Sequence, residues 1–342
     1  MLTGNSIGID YHSKIIQVSV LDSLGNKLGN RKCGNDVGEV IRYAEKLGPV
    51  RGGAIEVSCG AAAFADEIRQ KAGWDLRLCH PGFVNRMKNN PDKTDASDGL
   101  LLADLHRVGY LPEVWLAPLY LRDLKQIIRL RCQEVDHQRK LKQRIRSVFR
   151  HFRVQCPEKF NLRNKCSKVW VRSQVQQLPP NSQWVVMQQL NKLEQTESDI
   201  KELEKKLTAL AKNDNYITWL ITKRGIGLVT AVLFRSEIGT ITRFRRSKQF
   251  ARFCGLTPCN HSSGDRVADS GLIRAGCPEL KRAILQVAHI LRRRDPRWAL
   301  FAKRLEASGK SYCVVVAAIG NRWLRQLYHE MRNFELEHAI IS

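Results

Sequence analysis

No two of the ten cysteines stand in C-x-x-C spacing, so neither a zinc site nor a disulfide framework is indicated. The expectation is a set of reduced thiols in a cytosolic protein. No apolar run is long enough to span a bilayer; the longest, such as "YCVVVAAIG", falls far short of a membrane helix. The first residues have no basic start and no extended apolar segment, so no signal peptide is expected. No internal repeat, helix-turn-helix or zinc finger can be read. Acids are scarce: 33 Asp and Glu face 57 Lys and Arg, a formal charge of +24. An enzyme of small molecules rarely needs such a field, whereas a binder of polyanions does.

What is present begins as an α/β layer. "SIGIDYHSKIIQVSV" (6–20) alternates as a strand, with Asp10 set among residues suited to burial. "DSLGN" (22–26) is a turn, and a second strand should run to about Lys32. "GGAIEVSCG" (52–60) reads as a buried strand ending near Glu56. "AAAFADEIRQKAG" reads as a helix closed by Gly73, and "WDLRLCHP" as a further strand. A basic, Asn-rich loop then leads to a helix starting near Thr94.

From about Pro118 the chain turns helical. Residues 119–153 repeat Leu124, Ile127, Ile128, Val135, Leu141, Ile145, Val148 and Phe152 at helical spacing. The other faces are crowded with Arg and Lys, Arg139, Lys140, Arg144 and Arg146 among them, opposed along the helix only by Asp123, Glu134 and Asp136. A solvated helix face normally mixes signs, so this one reads as a nucleic-acid track. Residues 186–210 carry a heptad pattern: Leu193, Ile200 and Leu207 at one position, Thr196, Leu203 and Leu210 at the other. That predicts a short coiled coil or helical hairpin, paired within the chain or with another subunit. "KRGIGLVTAVLF" permits two readings: Gly225 and Gly227 let backbone amides approach a phosphate, or they serve packing at a helix start. A Gly/Pro/Ser-rich loop, "CGLTPCNHSSGDR", lies between later helices, and such loops often carry function.

Asp10 and Glu56 on strands, with Asp95 and Asp98 at i and i+3 on a helix, follow the order of acids in the RNase H-like fold. Each acid alone has a structural reading, since helix N-termini favour carboxylates. Two carboxylates brought to 4 Å repel by about 4 kcal/mol at an effective dielectric of 20. A divalent cation removes that penalty, and an all-oxygen donor set favours Mg²⁺ or Mn²⁺.

Together "IGIDYHSK", "AIEVSCG", "KTDASDG" and "FARFCGLTPCNHSSG" resemble the motifs of the DEDD transposases of the insertion-sequence family numbered one hundred and ten, the bridge-RNA-guided or seekRNA-guided recombinases. The resemblance covers nearly the whole chain, in order. It implies an α/β, RuvC-like N-terminal domain (1–117), a basic helix and coiled-coil insert (118–212) and a mostly helical C-terminal transposase domain (213–342). It puts the acidic tetrad, with Mg²⁺ or Mn²⁺, on Asp10, Glu56, Asp95 and Asp98. The nucleophilic serine falls on Ser263, with Ser262 beside it. Two positions depart from the family: Val57-Ser58-Cys59-Gly60 follows the Glu, and Gly99 stands where Ala is common.

The implied activity is cutting and rejoining of donor and target double-stranded DNA through a phosphoserine, guided by a structured non-coding RNA. The protein would act as a dimer or tetramer in the bacterial cytoplasm, at the nucleoid and away from membranes. The alternative is a Mg²⁺-dependent, structure-specific DNA endonuclease that uses the same acids and water. A non-enzymatic RNA scaffold would leave the acids unexplained. An actin-like ATPase would want a phosphate-binding Gly where Tyr11-His12-Ser13 stands.

Overall fold

The computed structural model describes residues 4–82, 84, 95–158, 160–260, 269–273 and 276–339. The chain divides into two compact units, Met1–Ala117 and Pro118–Ser342.

The first unit is one mixed sheet with helices on both faces. Its strands are β1 (Asn5–Tyr11), β2 (Ile15–Leu21), β3 (Lys27–Gly34), β4 (Val50–Glu56), β5 (Asp75–Cys79) and β6 (Glu113–Val114). The spatial order is β3-β2-β1-β4-β5-β6. The first three strands pair antiparallel, β1–β4 and β4–β5 pair parallel, and β6 closes the edge antiparallel. The single strand expected over 6–21 is therefore a hairpin, turning at 12–14. The reason is visible in burial parity: Ile7 and Ile9 face the core at odd positions, and Ile16, Val18 and Val20 face it at even ones. An odd-to-even switch cannot occur along one regular strand, because side chains alternate with a period of two.

That odd–even face packs under α1 (Val37–Glu45) and α2 (Ala61–Ala72), with Val40, Ala44, Phe64, Ala65 and Ile68 completing the core. The opposite face bears Ser6, Gly8, Asp10, Gln17 and Ser19 and is covered by α3 (Asp95–Arg107). Gly8 and Gly99 permit this. A Cβ at Gly8 would sit 1.9 Å from the Gly99 carbonyl oxygen and 2.5 Å from the Ala103 nitrogen. A Cβ at Gly99 would sit 2.5 Å from Ser19 Oγ. Glycine at 99, where the family pattern often has alanine, thus admits helix α3 against the strand backbone.

The second unit is built of helices. Helix α4 (Leu119–His151) and α6 (Pro180–Ala211) lie antiparallel, as their cross-links show: Arg131 meets Glu204 at 2.6 Å, and Lys142 meets Glu197 at 3.4 Å. Their shared core includes Leu141, Ile145, Phe149, Leu190 and Leu193, closed by Val171 of α5 (Lys165–Gln174). Of the heptad positions, Leu193, Thr196, Ile200 and Leu207 are buried and Leu210 is exposed. The partner of the heptad helix is thus the basic helix of the same chain. After α7 (Asn215–Ile221), α8 (Leu228–Ile238) and α9 (Ser247–Phe253), a two-stranded ribbon forms from β7 (Pro258–Asn260) and β8 (Asp269–Leu272). Helices α10 (Pro278–Arg294), α11 (Pro296–Ala307) and α12 (Tyr312–Ala339) complete it. Among the described residues no helix is long and apolar enough to cross a membrane.

Candidate active site

Asp10 is the penultimate residue of β1, and Glu56 is the last of β4. These strands are parallel neighbours whose pairing runs up to Ile9 opposite Ile55, so the two acids follow side by side at the carboxyl ends. Alternation turns Asp10 to the face of Gly8 and Glu56 to the face of Ala54, the face covered by α3. The carboxyl ends of parallel strands are where open α/β sheets place their ligands.

Helix α3 runs back along β1. His106, near its end, has Nδ1 3.1 Å from Ser6 Oγ; Gly99 and Ala103 abut Gly8. Continuing at 1.5 Å per residue brings its first turn beside Asp10. That turn carries Asp95, of which the backbone is described, and Asp98, which is buried. Asp10, Glu56 and Asp98 thus lie on the α3-covered face of the sheet, Asp10 and Glu56 at adjacent strand ends, with the Asp95 backbone in the first turn of that helix. Among the described residues no group of three His, Cys, Asp or Glu side chains is drawn tightly enough to hold a metal ion.

The donor chemistry of this edge is carboxylate oxygen. Cys79 stands opposite Glu56 in the β4–β5 register. Burial, helped by the Glu56 charge, pushes its thiol up to about 12, and its Sγ–H is engaged by the Ile55 carbonyl at 3.5 Å. A hard, oxygen-seeking cation fits such a donor set.

Three supporting side chains carry little or no signal in the sequence. His12, exposed in the hairpin turn, has Nε2 3.3 Å from Asp10 Oδ2; the D-x-H spacing is its only sequence signal. Gln17 is buried and pairs across from Asp10. Its amide donates to Asn30 Oδ1, and Asn30 Nδ2 donates to the Ala96 carbonyl at 3.0 Å. This amide relay ties the first turn of α3 to the strands beside Asp10. Nothing in the local sequence marks it, because the partners lie on separate elements.

His106 anchors the far end of α3. Burial lowers the pKa of its imidazole, with the charges of Arg51 and Arg77 acting the same way. The neutral ring is what the Ser6 contact holds.

In the second unit, Ser263 and Ser262 fall between β7 and β8, outside the described residues. The bases of that connection are fixed. Cys259 pairs with Ser270 and Asn260 with Asp269. Ile273 N–H donates to the Thr257 carbonyl at 3.0 Å, and Asn321 Nδ2 of α12 donates to the Leu256 carbonyl at 2.7 Å. The G-L-T-P stretch is thereby held against α12.

The charge of α4 is more compensated than its own sequence suggests. Lys125 pairs with buried Glu237 of α8 at 2.6 Å, and Glu197 and Glu204 of α6 engage Lys142 and Arg131. Of the four predicted nucleic-acid residues on α4, Lys140 and Arg144 are exposed, and Arg139 lies 3.3 Å from Asp136. Arg146 donates to the Phe160 carbonyl at 2.9 Å. Gly225 has a φ of 88° and packs on Val287 of α10, a position that only glycine fills without strain. Gly227 caps the start of α8 in open space.

The DEDD transposase profile of IS110 type matches residues 7–153, and the profile of the transposase IS116/IS110/IS902 family matches residues 218–303. The transposase for insertion sequence element IS1111A of Coxiella burnetii is 21% identical over 322 residues, spanning 92% of this chain and 86% of that protein. A pilin gene-inverting protein of Moraxella bovis is 32% identical over 115 residues, 33% of this chain and 36% of its own length. Among solved structures, Thermus thermophilus RuvC in complex with a Holliday junction substrate aligns with 32% of this chain and 99% of its own. That alignment has 15% identity and a TM-score of 0.27, too slight to bear on the fold. The two transposase profiles and the near full-length relative place this chain in the IS110 family of DEDD transposases.

Proposed function

We propose that this DNA transposase cuts and rejoins DNA through a phosphoserine, with the acids at the carboxyl edge of β1 and β4 as its catalytic centre. The observation that carries the reading is the placement of Asp10 and Glu56 on adjacent strand ends beneath the first turn of α3, which bears Asp95 and Asp98. The strand order, three antiparallel strands passing into parallel neighbours, supports an RNase H-like assignment for this unit. Mg²⁺ or Mn²⁺ is the group that Asp10, Glu56, Asp95 and Asp98 would hold; when bound, it stabilises the charge developing on a reacting phosphate. The amide relay from Gln17 to Ala96 keeps the helix-borne acids in place, and His12 stands at hydrogen-bonding reach of Asp10.

Ser263 is the nucleophile in this reading. Its Oγ bonds to the DNA phosphorus as the P–O bond to the neighbouring nucleotide breaks, and the proton lost from the serine hydroxyl is taken up by the leaving oxygen, which departs as a free hydroxyl. Reversal onto a second DNA end rejoins the strands. The name of the Moraxella relative, a gene-inverting protein, favours rejoining over simple hydrolysis. A structured RNA selects the DNA ends, held along α4 by Arg139, Lys140 and Arg144, with Gly225 and Gly227 at a second backbone contact. Acids and serine are supplied within a dimer or tetramer.

Asp10→Ala and Asp98→Ala should abolish strand exchange with nucleic-acid binding kept within a few-fold. Normal recombination by either variant would remove the acids from the reaction. Mixing Asp10→Ala with Ser263→Ala protein should restore some activity if subunits share sites. Absence of rescue in co-purified mixed oligomers would put the whole site in one chain.

A further inference from the structure

A wide cleft of the second unit is lined by residues outside the basic helix. It has a volume of about 1380 Å³, bounded by Pro258 and Leu272 of the β7–β8 ribbon on one side and floored by Ala317, Ala318 and Asn321 of α12. That exceeds the space a small-molecule site normally needs, roughly 300–1,000 Å³, and suits a length of polymer. Among the described residues its charge is of one sign: Arg297, Lys310, Arg322 and Arg325 line it, and no described Asp or Glu does.

This differs from α4, whose cations meet Glu197, Glu204 and Glu237. In the cleft, Lys310 and Arg325 are exposed, with no side-chain ion pair or hydrogen bond among the described residues. The other two are held in place without being neutralised. Arg297 donates to Gln326 Oε1 at 3.1 Å and lies 5.3 Å from the Trp298 ring centre; Arg322 lies 5.1 Å from that of Phe301. Stacking fixes a guanidinium while leaving its charge for a partner. Four cations around a concave surface concentrate the field on whatever polyanion enters.

We propose that this cleft is a DNA-docking site, in which Arg297, Lys310, Arg322 and Arg325 hold the phosphates of the strand to be cut. DNA is favoured over RNA because Pro258 and Leu272, on the two ribbon strands that flank Ser263 in the sequence, both line the cleft. The proposal rests on the reading of Ser263 for its orientation, but its test measures binding alone. It can therefore fail while cleavage stands, or stand while cleavage fails.

The chain holds its own probe. Cys313 lines the cleft and is exposed. In the full-length protein, alkylation of Cys313 should slow several-fold when a short DNA duplex is added to saturation, judged against an added thiol peptide. In parallel, Lys310→Gln/Arg322→Gln/Arg325→Gln protein should bind the duplex with a shallower salt slope, by about 0.9 for each phosphate no longer neutralised. Its melting temperature should stay close to wild type, since Lys310 and Arg325 make no ion pair or side-chain hydrogen bond among the described residues and Arg322 gives up only its contact with the Phe301 ring. A second variant, Ala318→Asp, should weaken DNA binding by placing an acid in the cleft floor. The proposal is overturned if saturating DNA leaves Cys313 alkylation unchanged, if the triple variant keeps the wild-type slope, or if RNA protects Cys313 and DNA does not.

Discussion

Replacing Gly8 by alanine tests how the acids are positioned without touching any of them. The new Cβ would lie 1.9 Å from the Gly99 carbonyl oxygen, where ordinary contact begins at 3.4 Å, so strand and helix would have to part by about 1.5 Å. Both clashing atoms, Gly99 O and Ala103 N, are backbone, so no side-chain rotation relieves them. Overpacking of this kind costs about 1–3 kcal/mol or more. For a unit of this size, that lowers the melting temperature by roughly 4–8 °C per kcal/mol. The same displacement carries Asp95 and Asp98 away from Asp10 and Glu56, and a misplacement of about 1 Å in catalytic geometry costs on the order of 10²-fold in rate. Thermal unfolding and a strand-cleavage assay on the same preparation measure both effects. Gly109→Ala is the control: its φ is 69° and nothing lies within 4 Å, so it should cost about 1 kcal/mol of backbone strain and leave cleavage intact. A Gly8→Ala protein with wild-type melting and cleavage would refute the close packing of α3 on β1.

Asn30→Ala frees the Ala96 carbonyl; stability should change by about 1 kcal/mol, while the Mg²⁺ concentration for half-maximal cleavage rises several-fold, and an unchanged midpoint would make the relay irrelevant to the acids. His106 has a lowered pKa, so the unfolded chain takes up its proton at a higher pH than the folded one. Stability should fall as pH drops below the ordinary histidine value of about 6.5, and His106→Gln should flatten a plot of melting temperature against pH in that window. Neutralising Arg139, Lys140, Arg144 and Arg146 together should reduce the salt slope of RNA binding by roughly 0.7–0.9 for each phosphate released. Arg146 should contribute least, since its guanidinium already serves Phe160, and an unchanged slope would place the RNA elsewhere.

Of the proposed acids, Asp10 stands out in the sequence by interrupting an apolar alternation and Glu56 by ending a buried run, whereas Asp95 and Asp98 share a helix face near an N-terminus, where acids are ordinary. The hairpin at 12–14 is hidden because two short strands with opposite burial parity look like one alternating strand unless the parity is followed through Ile15 and Ile16. Helix α1 escapes the periodicity, although "DVGE" carries its start signal: Asp36 Oδ1 accepts from Glu39 N–H at 2.6 Å, and Glu39 Oε2 accepts from Gly34 N–H at 2.9 Å. Charge balance on α4 is not legible at all. The carboxylates that meet it sit far along the chain, Glu237 being 112 residues beyond Lys125, and only folding joins them. The Gln17–Asn30–Ala96 relay is invisible for the same reason. Asn30 lies 66 residues from Ala96, and neither residue type signals the pairing.

The most direct test of the catalytic reading is the trapping of a covalent protein–DNA adduct. Wild-type protein, Mg²⁺, the guide RNA and both DNAs would be combined and resolved on a denaturing gel. The account predicts an adduct with wild type and with Ser262→Ala, and none with Ser263→Ala. Asp98→Asn, which keeps the shape of the buried side chain and removes its charge, should also give none. An adduct formed by the Ser263→Ala protein would contradict the assignment of the nucleophile, and one formed at the wild-type rate by Asp98→Asn would contradict the role of the acids.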